Sequence, residues 1–274
     1  MESITVGQFD LIYNSFSFTI AVMGAATIFA LLGRSQVGPA YRTALTLSGL
    51  VTAIACYHYV RIFNSWEAAY VLTNGRMTLT GVPFNDAYRY VDWLLTVPLL
   101  LVELILVMRL SSKETIAKGL RLGLLAALMV ILGYPGEVSA TTNGRWLWWT
   151  LAMIPFVIIV YDLSAGLRAS IDKQPDSVKS LVRTARTLTI ASWCFYPIVF
   201  IFPMIGFTGG NATTAVQVGY TIADIVSKAV FGVLIYMIAI RKSEAENYAG
   251  LSLIHISEPT RLRRISYAVF CLKK

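Results

Sequence analysis

Two ionisable side chains, Asp224 and Lys228, stand four residues apart in the last long apolar run of the chain, YTIADIVSKAVFGVLIY. Lys228 lies too far from either end of this run for its ammonium group to reach water, so it needs a partner or a neutral form. Residues four apart share one face of a helix, which brings Asp224 beside the lysine. A buried lysine can also carry a carbonyl compound as a Schiff base. A structural ion pair that braces two helices is the alternative from this run alone.

An earlier apolar run, AYRYVDWLLTVPLLLVE, carries polar groups along one stripe. Asp92, Thr96 and Glu103 are spaced by four and seven residues, which places them on one face of a helix. Asp92 and Glu103 are then ~16 Å apart along the helix axis. Arg89 lies about one turn before Asp92. Ionisable groups are costly in a hydrocarbon layer unless they are paired or neutral. The stripe therefore indicates a row of proton-exchanging groups that crosses most of a bilayer.

The elements that must hold these residues are membrane-spanning helices. Of the 274 residues, 56% are hydrophobic and only 14% are charged, and the mean hydropathy is +0.64. A soluble domain of this size carries more charge. Because a spanning helix needs ~20 mostly apolar residues, seven helices with short connections use nearly the whole chain. The apolar runs predict an all-α membrane bundle with helices at 11–32, 42–63, 86–110, 116–134, 145–167, 181–205 and 213–240.

The connection between the second and third helices, residues 64–85, is the one long loop in this interpretation. It holds Asn74-Gly75 between two runs rich in β-forming residues, AAYVLT and RMTLTGV. Asn-Gly between such runs is a hairpin signal. We predict a short β-hairpin here, with a loose loop as the alternative.

The basic residues of the chain predict its orientation. The net charge of +8 is concentrated in three connections, which argues against a nucleic-acid partner. Lys and Arg favour the cytoplasmic side, so these connections are predicted to face the cytoplasm and the N-terminus to lie outside. The first ten residues lack the basic segment of an ordinary cleavable signal peptide. The basic residues in or beside these three connections are Arg34, Arg42, Arg109, Lys113, Lys118, Arg121, Arg168, Lys173, Lys179, Arg183 and Arg186.

Other kinds of site find no support in the sequence. Cys56, Cys194 and Cys271 give neither a disulfide framework nor metal-ligand spacing, and we predict no metal site. There is no phosphate-binding loop or Ser/His/Asp triad, and the composition excludes a soluble enzyme. Residues 251–274, LSLIHISEPTRLRRISYAVFCLKK, differ from the rest and are predicted to be a non-native or disordered tail after a domain at 1–250. A genuine flexible tail is the alternative.

Taken together, the motifs resemble one family. RYVDWLLTVPLLLVE followed by D-x-x-x-K, with HYVRIFNSW, GYPGE and WCFYP elsewhere, is similar to the proteorhodopsin and xanthorhodopsin branch of microbial rhodopsins. The resemblance extends over nearly the whole chain, to about Arg241. It implies a light-driven outward proton pump with all-trans retinal. Members are multi-pass proteins that form pentamers or trimers, and a bacterial inner membrane is the expected location.

The resemblance also implies a role for each ionisable group near the retinal. Lys228 matches the lysine that binds retinal as a protonated Schiff base. Asp92 matches the primary counterion and proton acceptor, and Asp224 matches the second counterion. A buried cation of this kind needs carboxylates beside it.

Three further residues match the proton path. Glu103 matches the cytoplasmic proton donor, whose leucine neighbours supply a dry environment that favours its protonated form; an interface residue is the alternative. His58 matches a histidine bonded to the counterion, which would help to keep Asp92 ionised; an ordinary core histidine is the alternative. Arg89 matches the arginine that gates the exit side of the proton path. An arginine whose side chain snorkels to the membrane surface is the alternative.

Aromatic residues are expected to wall the retinal pocket, with ordinary helix packing as the alternative. Leu100 matches a colour-tuning position at which leucine accompanies green absorption. Trp149 matches the position where carotenoid-binding relatives carry a glycine, and its indole would close that window, so we predict no carotenoid antenna. The expected pocket residues are Trp93, Thr96, Leu100, Gly133, Trp193, Tyr196, Pro197 and Tyr220.

The residues of the third-helix motif also distinguish related activities. A sodium pump would carry Asn, Asp and Gln along the third helix, and a chloride pump would replace Asp92 by Thr or Asn. A photosensor also needs Lys228 and Asp92 but usually lacks a carboxylate donor, so Glu103 favours a pump. A seven-helix receptor or carrier without retinal is the alternative from another class, and the colour of the purified protein separates it.

Overall fold

Seven helical spans build the molecule, and the computed structural model describes residues 3–246. The first four spans are α1 (Val6–Gly33), α2 (Arg42–Ala69), α3 (Ala87–Met108) and α4 (Ser112–Glu137). The fifth span joins α5 (Thr142–Tyr161), a π-helical turn (Asp162–Gly166) and α6 (Arg168–Asp172). The sixth is α7 (Asp176–Phe200). The seventh joins α8 (Gly209–Asp224), a second π-helical turn (Ile225–Val230) and α9 (Phe231–Ala245).

The predicted seven-helix bundle is confirmed, and the chain is a multi-pass membrane protein. Among residues 3–246, six helical segments are long and apolar enough to cross a membrane. The sixth span, α7, is the exception because its first half carries Lys179, Arg183 and Arg186. The prediction for the tail at 251–274, which includes Cys271, lies outside the described residues.

The helices extend beyond the predicted apolar runs because polar residues form their ends. Thr5 and Gln8 form a capping box that starts α1, and Ser111 and Glu114 form another that starts α4. Such caps satisfy the free backbone N–H groups of the first turn. The third span is shorter than predicted, because Asp86 stands before α3 and Arg109 ends it with a left-handed backbone.

The predicted β-hairpin is also confirmed. Strands β1 (Tyr70–Thr73) and β2 (Arg76–Leu79) pair antiparallel, with Tyr70 opposite Leu79. Asn74 and Gly75 form the two-residue turn, with φ of 50° and 76°. The connection is shorter than the predicted loop at 64–85, because α2 continues to Ala69 around the fully buried Trp66.

The third span occupies the middle of the bundle. Its apolar face joins a core cluster with residues of the second, fourth, fifth, sixth and seventh spans. Large apolar side chains on the first and fourth spans point away from the protein, among them Phe18, Leu32, Leu120 and Leu124. These apolar groups therefore face the lipid. The stripe on the third span faces inward, which places Asp92 and Glu103 inside the protein.

Candidate functional site

Lys228 lies at the centre of the bundle, inside the π-helical turn of the seventh span. Its side chain is 1% exposed. Nζ donates a hydrogen bond to Oδ2 of Asp92 on the third span and another, of 2.9 Å, to Oδ1 of Asp224 one turn earlier. The structure thus brings together the three residues that the sequence singled out. In this position the amine nitrogen lies between two carboxylates.

The two carboxylates have different surroundings. Asp224 Oδ2 accepts a hydrogen bond from Tyr59 Oη at 2.7 Å. Its Oδ1 accepts from Tyr196 Oη at 2.7 Å and from Trp93 Nε1 at 3.2 Å. Oδ1 of Asp92, in contrast, has no hydrogen-bond partner within residues 3–246. Several donors stabilise the charged form of Asp224, whereas Asp92 keeps an oxygen that is free to take a proton.

His58 lies near Asp92 but does not form the bond that the resemblance implied. Its Nδ1 is 4.0 Å from Asp92 Oδ1, beyond hydrogen-bond length. The same nitrogen is 3.0 Å from the carbonyl oxygen of Ile54, one turn earlier on the second span. This bond within the helix holds the ring away from the carboxylate, so His58 faces Asp92 at ion-pair distance only.

Arg89 is buried one turn outward of Asp92, as predicted. Its guanidinium donates to Tyr59 Oη at 3.3 Å and to Gln217 Oε1 at 2.6 Å. The rings of Phe16, Tyr59 and Tyr220 lie 5.4, 5.7 and 5.5 Å from its Cζ atom. Tyr59 also contacts Asp224, so one tyrosine joins the arginine to the site around Lys228. These contacts make Arg89 a buried part of the site rather than a snorkelling side chain.

A partly polar cleft lies at the end of the bundle that carries the hairpin. Its volume is about 660 Å³, and its lining includes Asp86, three residues before Arg89, and Glu137 at the end of the fourth span. Tyr90 Oη donates to Glu137 Oε2 at 3.2 Å. The cleft extends the polar route of the third span beyond the arginine.

Glu103 is fully buried on the opposite side of Asp92. The hydroxyl of Ser48, on the second span, donates to its Oε1. Its Oε2 has no partner among the described residues, and Leu100, Leu101 and Leu104 around it on the helix are buried. Without a cation beside it, a carboxyl in such a place is less costly in its protonated form. The geometry therefore suits a stored proton.

An apolar cavity ends at Lys228, and aromatic residues form much of its wall. Seven of the eight predicted pocket residues line it: Trp93, Leu100, Gly133, Trp193, Tyr196, Pro197 and Tyr220. Gly133 provides room, because a Cβ there would come within 3.4 Å of the Tyr90 ring. A long apolar chromophore bound to the amine fits this lining.

Thr96 is the predicted pocket residue that does not line the cavity. Its hydroxyl donates to the carbonyl oxygen of Asp92 at 2.8 Å, within the third span. Serine and threonine often bond back to the preceding turn of a helix in this way. Thr96 shares the stripe of Asp92, as its spacing predicts, but its hydroxyl is directed to the backbone.

Trp149 lines the same cavity from the fifth span. Its Nε1 donates to the carbonyl oxygen of Pro197 at 3.1 Å. That bond ties the indole to the sixth span. The ring therefore has a fixed place in the wall.

Sequence reasoning missed three polar residues of the site: Ser48, Tyr59 and Gln217. Gln217 precedes Asp224 by seven residues, so two helical turns place both on one face, and this spacing could have identified it. Tyr59 follows His58 directly. The spacing within one helix does not show that Ser48 meets Glu103, because the two lie on different spans. The cavity residues Met129, Met153 and Phe156 were missed for the same reason.

Comparison with known proteins agrees with this geometry. The family model described as bacteriorhodopsin-like protein matches residues 11–242. The green-light absorbing proteorhodopsin of Gamma-proteobacterium EBAC31A08 is 31% identical over 232 residues, which are 84% of this chain and 86% of the relative. The blue-light absorbing proteorhodopsin of Gamma-proteobacterium Hot 75m4 is 30% identical over 238 residues, 85% of this chain and 88% of the relative.

A solved structure extends the likeness to three dimensions. Xanthorhodopsin, described as a light-driven ion pump with dual chromophore, superimposes with a TM-score of 0.87 at 52% sequence identity. The match covers 90% of this chain and 99% of xanthorhodopsin. The resemblance stated from the motifs is confirmed: the chain belongs to the bacteriorhodopsin-like protein family and is a microbial rhodopsin.

Proposed function

We propose that this protein is a light-driven outward proton pump that carries all-trans retinal on Lys228. The observation that carries the proposal is the difference between the two carboxylates at the lysine. Asp224 is held by several donors, while Asp92 has a free oxygen. A third carboxyl, Glu103, lies buried on the helix of Asp92 and forms no ion pair with any residue from 3 to 246. Known proteins support it, since xanthorhodopsin is a light-driven ion pump.

The chain's own groups account for the first proton transfer. Retinal bound to Nζ as a protonated Schiff base would supply light absorption and a photoisomerisation that disturbs the contacts of the nitrogen. Asp92, whose Oδ2 is the oxygen in contact with Nζ, then takes the proton from Nζ. Asp224 keeps its charge because Tyr59 and Tyr196 donate to it. Asp92 is thus the acceptor and Asp224 the fixed counterion.

Glu103 would restore the proton from the other side. Its carboxyl stands about three helical turns from Asp92 on the same helix, in an apolar environment shared with Ser48. A neutral carboxyl in that place can give a proton toward Nζ after Asp92 has taken the first one. Its position favours a pump over a sensor, because a sensor has no need for a fast donor.

Arg89 separates the lysine from the outer cleft. Its buried charge lies one turn outward of Asp92, and Asp86, three residues further outward, lines the cleft together with Glu137. A fixed cation discourages the return of a proton from the cleft to the carboxylates. His58, at 4.0 Å from Asp92, would favour the ionised form of that acceptor when it is protonated.

Cellular context forms part of the same proposal. The basic connections would face the cytoplasm, in a bacterial inner membrane, with the N-terminus outside. The protein would act as a transporter rather than an enzyme. A homo-oligomer, pentamer or trimer, is proposed on the family resemblance alone.

We also propose that no carotenoid antenna binds, although the similar xanthorhodopsin has a dual chromophore. The support is the indole of Trp149, which stands in the cavity wall and is bonded to Pro197. The test is the action spectrum of light-driven transport, recorded with and without added carotenoid. The two spectra should coincide, and a new carotenoid band in the wild type would refute the assignment. Trp149→Gly, which removes the indole from the cavity wall, is the comparison variant.

Light-induced pH change in an unbuffered suspension of cells, supplied with all-trans retinal, tests the pump. The medium should acidify under light, and a protonophore should abolish the change. A coloured protein that moves no protons would favour a photosensor. The retinal assignment is tested by Lys228→Ala, which should give a colourless protein. Lys242→Met is the matched control, since Lys242 is also buried in the seventh span but bonds to Val107 and Met108 carbonyls, and it should stay coloured.

A further inference from the structure

A second polar cleft lies where the fifth span meets the sixth, and it shares no lining residue with the cavity at Lys228. Its volume is about 330 Å³. We call it the arginine cleft. It is lined by Ser164, Arg168, Ile171, Asp172, Arg183 and Arg186, and none of these residues contributes to the proposed pump.

The lining of the arginine cleft has an excess of positive charge. Three guanidinium groups stand against one carboxylate, Asp172, which pairs with Arg183 at 3.1 Å. Arg168 is exposed and makes no hydrogen bond or ion pair with any residue from 3 to 246. Two positive charges in one cleft therefore lack a balancing group, and an anion would supply it.

Arg186 offers a donor without an acceptor. Its Nε is enclosed by the protein, yet no hydrogen-bond partner reaches it in the described chain. One of its terminal nitrogens makes only a long contact, 3.4 Å, with the carbonyl oxygen of Ser164 in the π-helical turn. An enclosed polar group without a partner is costly, and the cost is larger for a charged one. A ligand with several acceptor oxygens would remove it.

The chemistry and position of the cleft indicate which anion fits. The planar guanidinium fork matches the oxygens of a phosphate group. The cleft adjoins the end of the fifth span and the start of α7, where apolar spans give way to charged connections. Phospholipid head groups lie at that level, and basic pockets between spanning helices bind anionic lipids.

We propose that the arginine cleft is a binding site for a phosphate group, held by Arg168 and Arg186 with Arg183 at its rim. The group comes either from the head group of an anionic phospholipid or from inorganic phosphate. In both cases the phosphate neutralises the excess positive charge of the cleft and contacts arginines of both the fifth and the sixth span. The inference does not depend on retinal or on proton transport.

The experiment measures binding to the purified full-length chain in detergent. Phosphatidylglycerol is titrated in one arm and phosphatidylcholine in a second, with native mass spectrometry to detect bound lipid. Inorganic phosphate is titrated in a third arm at constant ionic strength, with the thermal unfolding midpoint as readout. The variants are Arg168→Gln and Arg186→Gln. The matched control is Arg34→Gln, an exposed arginine of the first connection that lies outside the cleft.

We expect phosphatidylglycerol to bind the wild type and Arg34→Gln equally, and to bind each cleft variant about tenfold more weakly, as loss of one charged hydrogen bond predicts. Binding of the lipid without a phosphate effect assigns the site to a head group. An arginine-dependent shift with phosphate alone assigns it to the free ion. Equal binding of both lipids, or unchanged lipid binding by the cleft variants, would overturn the proposal when inorganic phosphate also gives no arginine-dependent shift. Arg168→Gln decides the matter if circular dichroism shows that Arg186→Gln does not fold.

Discussion

Asp92 and Asp224 contact the same amine but differ in their remaining hydrogen bonds, and their proposed roles rest on this difference. Because an amide cannot take up a proton as a carboxylate does, Asp92→Asn should remove the proposed proton acceptor while it keeps the shape of the side chain. Light-driven acidification should fall by at least ~10²-fold, the usual contribution of a positioned base. Initial rates of pH change in illuminated cells, normalised to the amount of coloured protein, measure the effect.

The matched control for this substitution is Thr96→Val, one turn away on the same stripe. The Thr96 hydroxyl is bonded to the backbone of Asp92, so its loss should leave transport close to the wild-type rate. A transport defect in Thr96→Val as large as that of Asp92→Asn would show that the hydroxyl belongs to the site after all. Normal pumping by Asp92→Asn would refute the acceptor role.

Glu103 is predicted to set the speed of the second half of the cycle. Glu103→Gln removes the transferable proton but keeps a polar group beside Ser48. The protein should remain coloured, and recovery after a single flash should slow by ~10²–10⁴-fold. Glu114→Gln is a suitable control, because Glu114 is an exposed capping residue and glutamine serves equally well in a capping box. Recovery at the wild-type rate in Glu103→Gln would exclude it as donor.

At the residue scale, the sequence predicts those site residues whose types are costly in a membrane. Asp92, Asp224, Lys228 and Glu103 are conspicuous because apolar runs surround them. Their hydrogen-bond partners are harder to recognise in the sequence, since tyrosine and serine are common in such helices. The contact between Ser48 and Glu103 also depends on how two spans are rotated against each other, which spacing within one helix does not specify.

The hairpin between the second and third spans gives a prediction at the scale of an element. Gly75 has φ of 76° in its turn, and a Cβ there would meet nothing within 4 Å. The cost of Gly75→Ala is therefore purely backbone strain, about 1 kcal/mol. The unfolding midpoint should fall by about 2–4 °C for a chain of this length. Differential scanning calorimetry of the purified protein measures it.

Gly7→Ala is the control for the hairpin substitution. A Cβ at Gly7 also meets nothing within 4 Å, but the residue lies in the first turn of α1 with ordinary helical backbone. Alanine is favoured over glycine in a helix, so the midpoint should stay or rise. A fall as large as that of Gly75→Ala would show that the hairpin turn is not the cause.

The elements themselves were predictable in number and type, but not at their ends or irregularities. Apolar runs predict the spans, and Asn74-Gly75 predicts the turn. The π-helical turns at 162–166 and 225–230 were not predicted, because one extra residue in a turn leaves the apolar character of the run unchanged. The end of α2 was missed because Asn64, Ser65 and Glu67 interrupt the apolar run, although the helix continues to Ala69 around the buried Trp66.

The whole molecule can be understood from the burial of its third span. Between its first helical residue and Met108 that span carries Arg89, Asp92 and Glu103, the residues proposed as gate, acceptor and donor, in order. Spans around it keep water and lipid from these groups, as the apolar surfaces of the first and fourth spans show. A single helix thus orders the proposed proton path, and the direction of transport would follow from how the bundle is inserted.

Insertion is therefore the prediction that belongs to the whole molecule. The Lys and Arg of three connections favour the cytoplasmic side, which places the hairpin outside the cell. A cysteine at Leu72, which is 60% exposed on β1, should react with a membrane-impermeant maleimide in intact cells. A cysteine at Ser35, exposed in the first connection, should react only after the cells are broken, with the unsubstituted chain as background. The reverse pattern would turn Glu103 toward the outside, and the same residues would then drive protons inward.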